Sequence, residues 1–473
     1  MSRRCAAAAV VLALVASLGP SAAAATTTTV PPSHLAPPAS HAQLVTPVLS
    51  ARRLPTLLEA PIADAHLLAA LAPIVAHANP TSCLEVELDG RRIDDVRGSL
   101  PLMPASTEKL LTASALLAKV GPDATTETVA AATEPVHDGV LDGDLYVVGG
   151  GDPLLETTGY QPSQEDPDEP YNDFAKLAAA IKAAGITAIH GNVIGDESRF
   201  DTTRYVPSWP GRYITAGESG PLSALMVNGG FTGLTDHPQA PSADRQPGNP
   251  PLLAAATLVT LLRQRGVQVT GGSGTGRTPS DAHTVAALRS LPLSSELTEL
   301  LRRSDNTTAE LLAKELGHLV AGSGSTAAGA RAVQSTLTAI GMPMRGTVTV
   351  DGSGLDLGNR VTCDLLTALL VHAGPDSVIA RSLPVAGRTG TLRFRLTGTV
   401  AEGRVAAKTG TLDEVNALAG FAHSVSGQTL VFAFIINGTS PTGPALLDQA
   451  AVALARYGSG LSLAQLGPEP AGS

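Results

Sequence analysis

The 473-residue sequence predicts an α+β protein, an antiparallel sheet flanked by helices and interrupted by a large strand-rich insert. Three observations carry that reading. A helical apolar stretch near residue 62 feeds a short alternating strand and a turn; residues 125–290 alternate brief apolar runs with Gly, Asp and Pro; and the C-terminal part meanders through apolar strands into a last helix. Apolar residues make up 43% and charged residues 16%, which is ample for a packed core. At ~100–200 residues per domain the length implies two to four domains. The balance of 32 Lys plus Arg against 42 Asp plus Glu leaves a net charge of −10. That excludes a nucleic-acid binder, whose phosphate contacts need a basic surface.

Residues 1–25 read as a secretory signal: Arg3 and Arg4 start it, an apolar run of 13 spans 6–18, and small residues follow Gly19-Pro20. The run is too short to cross a bilayer comfortably, so no stable membrane span is expected after cleavage. The protein is expected to be secreted, acting in the periplasmic space or cell wall. Loss of Cys5 with the signal leaves Cys83 and Cys363 in a compartment that permits disulfides, and these two are expected to pair. Residues 26–57 form a Thr/Pro/Ala tract without periodicity, a flexible leader.

The first part of the principal domain covers 58–124. Residues 62–78 are helical, 83–88 alternate as a half-buried strand, and Asp89-Gly90 turns the chain. Ser106-Thr107-Glu108-Lys109 then runs into the apolar stretch 110–117, a buried helix starting near Ser106, with Glu108 expected to face solvent. The insert, 125–290, holds helices at 174–184 and 253–265 among its strands. The second part, 291–460, resumes with helical segments on either side of Ser304-Asp305-Asn306. It ends in strands at 404–407, 416–424 and 429–436 and a helix at 445–457; 461–473 form a flexible tail.

The chain has only six lysines beside 26 arginines. A lysine can be brought by burial and neighbouring charges to lose its proton near neutral pH, whereas an arginine cannot. Lys109 alone has a serine three positions earlier. Residues i and i+3 share a helix face, so Ser106 Oγ and Lys109 Nζ can converge where free backbone N–H groups favour a developing oxyanion. Read alone, the pair is a helix cap beside a surface lysine, and Ser304-Asp305-Asn306 is likewise a helix cap. Lys408-Thr409-Gly410-Thr411 ends one expected strand and precedes another. Its glycine would let a ligand backbone approach, and its lysine and hydroxyls could bind a carboxylate.

In this order the three elements make up the motif set of penicillin-binding proteins and serine β-lactamases. The chain resembles the class C low-molecular-mass penicillin-binding proteins, the D-alanyl-D-alanine carboxypeptidase/endopeptidase group of peptidase family S13. Supporting stretches are 143–153 (GDLYVVGGGDP), 193–196 (VIGD), 303–306 (RSDN) with 309–312 (AELL), and 351–355 (DGSGL). The likeness covers nearly all of 60–460. Ser304 lies 198 positions after Ser106, a spacing that leaves room for the inserted domains of this group, unlike compact class A β-lactamases. Arg388-Thr389-Gly390-Thr391 mimics the third motif with arginine; Lys408 is preferred because strands flank it.

The resemblance implies a serine β-lactamase/transpeptidase-like domain and acyl transfer through Ser106, with Lys109 as base. Ser304 would relay a proton, Asn306 would orient Lys109 and substrate, and Lys408 would set a positive field. Thr409, Gly410 and Thr411 would bind the terminal carboxylate, and the N–H groups of Ser106 and Thr411 would form the oxyanion hole. The expected partners are peptidoglycan stem peptides and, as acylating inhibitors, β-lactams. No cofactor or metal is expected, because the sequence lacks H-E-x-x-H and C-x-x-C patterns. The rival readings are a β-lactamase and a catalytically silent cell-wall-binding protein.

Overall fold

The computed structural model describes residues 46–461, apart from 55, 159, 161–169, 233–245 and 440, together with 466 and 467. The expected signal, most of the leader and most of the tail lie outside these residues.

Five strands form the principal sheet, in the order Val405–Leu412, Val415–His423, Thr429–Asn437, Ser82–Leu88 and Arg91–Val96. Every neighbouring pair is antiparallel. Alternate side chains point to opposite faces of a strand, and here both faces are covered. Cys83, Ala417, Ala419, Phe421, Ala433 and Ile435 enter one apolar core. Leu84, Val86, Leu418, Phe432, Phe434 and Ile436 enter the other. Burial on both sides explains why 429–437 reads as a nearly continuous apolar run rather than an alternation.

The second face is packed by the helices Thr56–His77 and Gly443–Ala455, through Leu67, Leu71, Leu447 and Leu454. The first of these begins six residues earlier than expected and carries Pro61 and Pro73 within it. Among the described residues it is also the one helix long and apolar enough to cross a bilayer.

The opposite face meets helices Lys109–Val120, Asn306–Ala321, Thr326–Ala339 and Cys363–Ala373. Lys109–Val120 is wedged among the others, and every residue from Lys109 to Leu116 is buried. Cys363, the first residue of its helix, is joined by a disulfide to Cys83 in the sheet, tying positions 280 residues apart.

Between Lys109–Val120 and Leu293–Thr298 the described residues build two two-stranded pairs and two larger sheets. One has five strands, Ser273–Thr275, Val193–Asp196, Leu145–Val148, Glu127–Ala132 and His283–Arg289; the other has four shorter ones. Helices Ala175–Ala183 and Pro250–Gln264 close a separate core around Phe174, Ile181 and Leu258. The stretch 197–227 leaves this unit and docks on Asn306–Ala321. Phe200, Leu222 and Met226 pack on Leu311, Arg199 pairs with Glu315 at 2.6 Å, and Lys314 reaches Asp201 at 2.5 Å.

Candidate active site

Ser106 sits in a 3-10 turn, Ala105–Glu108, that leads directly into Lys109–Val120. The turn enters through Ala105 at φ 47°, a left-handed conformation, and is held from two sides. A Cβ on Gly354 (φ 86°) would stand 1.9 Å from the Ala105 carbonyl oxygen, and one on Gly410 would stand 2.7 Å from that of Pro104. The close approach of its strand to the nucleophile turn is thus one reason for a glycine at Gly410. The strand itself extends through the whole motif, Val405–Leu412, rather than stopping before Lys408.

Lys109 is wholly buried, and its Nζ donates to Ser106 Oγ (2.9 Å), Asn306 Oδ1 (2.7 Å) and the Ser353 carbonyl (2.8 Å). Burial pushes its pKa down to about 8, although Asp305, Asp351, Glu310 and Glu218 pull the other way. Across the cleft Lys408, also wholly buried, donates to Ser304 Oγ and the Thr409 carbonyl, both at 2.8 Å. Burial, then the charge of Lys109, holds Lys408 well below the ordinary lysine range.

Ser304 adopts left-handed φ/ψ (67°, 30°) after the π-helical turn Glu299–Arg303. Such backbone costs ~1–3 kcal/mol in a non-glycine residue, and here it aims the hydroxyl at Lys408. Asp305 caps the following helix by accepting from Thr308 N at 2.6 Å, so the capping reading holds for the middle residue of the triplet. Asn306 faces Lys109, and its Nδ2 donates to the Glu218 carbonyl at 2.7 Å.

These groups open on a cleft of about 720 Å³, lined by Ser106, Ser304, Asn306, Thr409 and Thr411, with Tyr213 and Glu218 from the 197–227 stretch. Thr391, from the arginine-bearing mimic of the third motif, also lines it, with its hydroxyl 2.7 Å from that of Thr409. The mimic is therefore part of the cleft wall, while its Arg388 lies against Gly403.

The expectation of a solvated Glu108 is overturned: it is fully buried, and its pKa is raised well above the usual carboxylate range by desolvation and by Asp351. The helix face opposite the nucleophile is not a solvent face, because the loop 351–356 covers it. The backbone acceptors of Ser353 and Glu218 were also missed, as no residue type marks a carbonyl. The lysine count pointed partly astray: Lys314 is fully buried too, but as an ion-paired strut.

A buried lysine hydrogen-bonded to a cleft serine, opposite a second lysine–serine pair, defines an active-serine acyl-transfer class of protein. The chain belongs to the D-Ala-D-Ala carboxypeptidase 3 (S13) family, whose profile matches residues 81–252 and 240–457. It is 34% identical over 435 residues to a D-alanyl-D-alanine carboxypeptidase of an Actinomadura species, covering 76% of this chain and 78% of that protein. Over 378 residues it is 33% identical to a carboxypeptidase of Mycobacterium tuberculosis, covering 77% and 76%. The crystal structure of penicillin binding protein 4 from Haemophilus influenzae matches with a TM-score of 0.68 at 23% identity. It covers 81% of this chain and 98% of that one, a likeness of fold.

Proposed function

We propose that the protein is a serine-type D-alanyl-D-alanine carboxypeptidase that trims peptidoglycan stem peptides outside the cytoplasm and is acylated by β-lactams. The observation that carries this reading is the Lys109–Ser106 hydrogen bond of 2.9 Å, made by a lysine whose pKa lies near 8. At pH 7 a pKa of 8 rather than 10.5 makes the neutral amine about 300-fold more abundant. Neutral Lys109 takes the hydroxyl proton as Ser106 Oγ attacks the penultimate D-Ala carbonyl. The N–H groups of Ser106 and Thr411 stabilise the oxyanion. As the C–N bond breaks, Lys109 gives up that proton and Ser304, polarised by Lys408, relays it to the leaving D-Ala amine, which leaves Lys109 neutral and Ser304 a hydroxyl again. Water then attacks the ester, with Lys109 again accepting a proton and returning it to Ser106.

Thr409 and Thr411 line the cleft where the terminal carboxylate would lie, and Lys408 supplies a positive field beneath it. Completeness of the buried lysine–serine pairs favours catalysis over a silent binding role, since a silent protein gains nothing from two buried amines. The test is Ser106→Ala with a labelled penicillin and a stem pentapeptide. The native protein is expected to form a stable adduct and release one D-Ala, and the variant neither. An adduct or D-Ala release retained in the variant refutes the assignment. Mass spectrometry of a cross-linked dimer substrate then reports any endopeptidase activity, and rapid penicillin turnover would mark a β-lactamase.

A further inference from the structure

Glu310 has no role in the steps above, yet it is wholly buried directly behind the site. It follows Asn306 by four residues on one helix, so the two side chains share a face. Asn306 reaches Lys109 itself. Glu310 reaches the loop that Lys109 touches: its Oε1 accepts from Gly352 N (3.0 Å) and Ser353 N (2.8 Å). The carbonyl of that same Ser353 accepts from Lys109 Nζ, and the carbonyl of Gly352 accepts from Thr112 Oγ1 at 2.9 Å, one turn along the nucleophile helix.

The loop has no slack. A Cβ on Gly352 would stand 2.5 Å from that of Ala313. Asp351 accepts from Gly354 N, Asp356 N, Asn359 Nδ2 and Trp209 Nε1, at 2.7–2.8 Å. We propose that Glu310 is a positioning residue that, by holding the Gly352 and Ser353 amides, fixes the Ser353 carbonyl as the third hydrogen-bond acceptor of Lys109 and so sets the proton affinity and aim of the base. The functional motif thus extends from Ser304 to Glu310 and pairs with the loop 351–356.

Three acceptors saturate the three protons of an ammonium. When the lysine is neutral, one of those contacts must reverse, and only Ser106 has a hydroxyl proton to donate. Holding the Ser353 carbonyl and Asn306 Oδ1 rigid therefore directs the lone pair at Ser106. The charged or titratable groups around Lys109 are Asp305 capping Asn306–Ala321, Glu310 within that helix, Glu218 on the 197–227 stretch, Asp351 on the loop, Glu108 on its own turn, and Lys408 across the cleft.

The proposal rests on the acylating role of Ser106 and is tested on the full chain with a fluorescent penicillin, by the second-order acylation constant between pH 5 and 10. Glu310→Gln keeps an oxygen for both amides and is expected to stay within about threefold of native. Glu310→Ala strands two buried N–H groups and frees the loop; a buried donor left unpaired corresponds to a fall of about 10- to 100-fold. With one acceptor of its ammonium loosened, Lys109 should also lose its proton more readily, moving the acidic limb to lower pH by ~0.5–1 unit relative to Glu310→Gln, which removes the same carboxylate charge.

A purely structural role would lower the melting temperature without moving that limb or separating Gln from Ala. If the Ala variant does not fold, Glu310→Asp, which withdraws the carboxylate by one methylene, is expected to show the same fall and shift. An Ala or Asp variant acylating within threefold of native, a Gln variant falling as far as Ala, or an unmoved limb overturns the proposal. Failure of the native protein to be acylated would instead overturn the carboxypeptidase reading itself.

Discussion

Asn306→Asp is nearly isosteric, and it places a carboxylate oxygen where Oδ1 now stands, 2.7 Å from Lys109 Nζ. The acceptor survives, the donor to the Glu218 carbonyl is lost, and a negative charge is added beside the base. An opposite charge this close shifts a pKa by ~1–3 units in favour of the charged form. Taking a shift of ~2, Lys109 would rise from about 8 to about 10. A raised lysine pKa keeps the amine protonated to higher pH, so the free base at pH 7 falls from about one molecule in eleven to about one in a thousand. Penicillin acylation should then be ~100-fold slower at pH 7, yet only about twofold slower near pH 10, where even a base of pKa 10 is half deprotonated. The assay is the acylation constant across that range, with the melting temperature read at each pH. A deficit of constant size at every pH would refute the reasoning, because it would show that geometry rather than proton affinity was lost.

Gly354→Ala should destabilise the protein by ~2–4 kcal/mol and slow acylation, since its Cβ must displace the Ala105 carbonyl one residue before the nucleophile. A thermal melt within about two degrees of native would contradict the close approach. Replacing both Cys83 and Cys363 by Ser releases a closure of 280 residues and should remove ~3–5 kcal/mol of stability, seen as a lower denaturant midpoint that reductant no longer changes. An unchanged midpoint would mean that the cross-link adds nothing to the fold.

The principal sheet was largely legible, because its strands are long apolar runs bounded by turns. Residues 429–436 and 83–88 fall on observed strands, as does all of 416–424 except Ser424, which lies just past the strand end. What could not be read was that the N-terminal hairpin inserts beside Thr429–Asn437, a pairing across more than 340 residues to which no local pattern refers. In the site, Ser106, Lys109, Ser304, Asn306 and Lys408 were legible as motifs, and the fold brings all five to one cleft. Glu108 was misread because the outer face of a helix was equated with water, which fails for a helix surrounded by others. Thr391 was set aside with its motif, although its hydroxyl meets that of Thr409.

Chain order alone sets the inventory: which serines and lysines stand at helix starts and strand interiors, where the chain must turn, and that it is acidic. These are properties of neighbours along the chain. The chemistry of that inventory comes from the folded arrangement, because proton affinity depends on desolvation and on charges brought from distant segments. Lys109 and Lys408 become chemically distinct from ordinary lysines through burial. The groups that hold Lys109, the Ser353 carbonyl and the Glu310 carboxylate behind it, arrive from segments some 200 to 245 residues away.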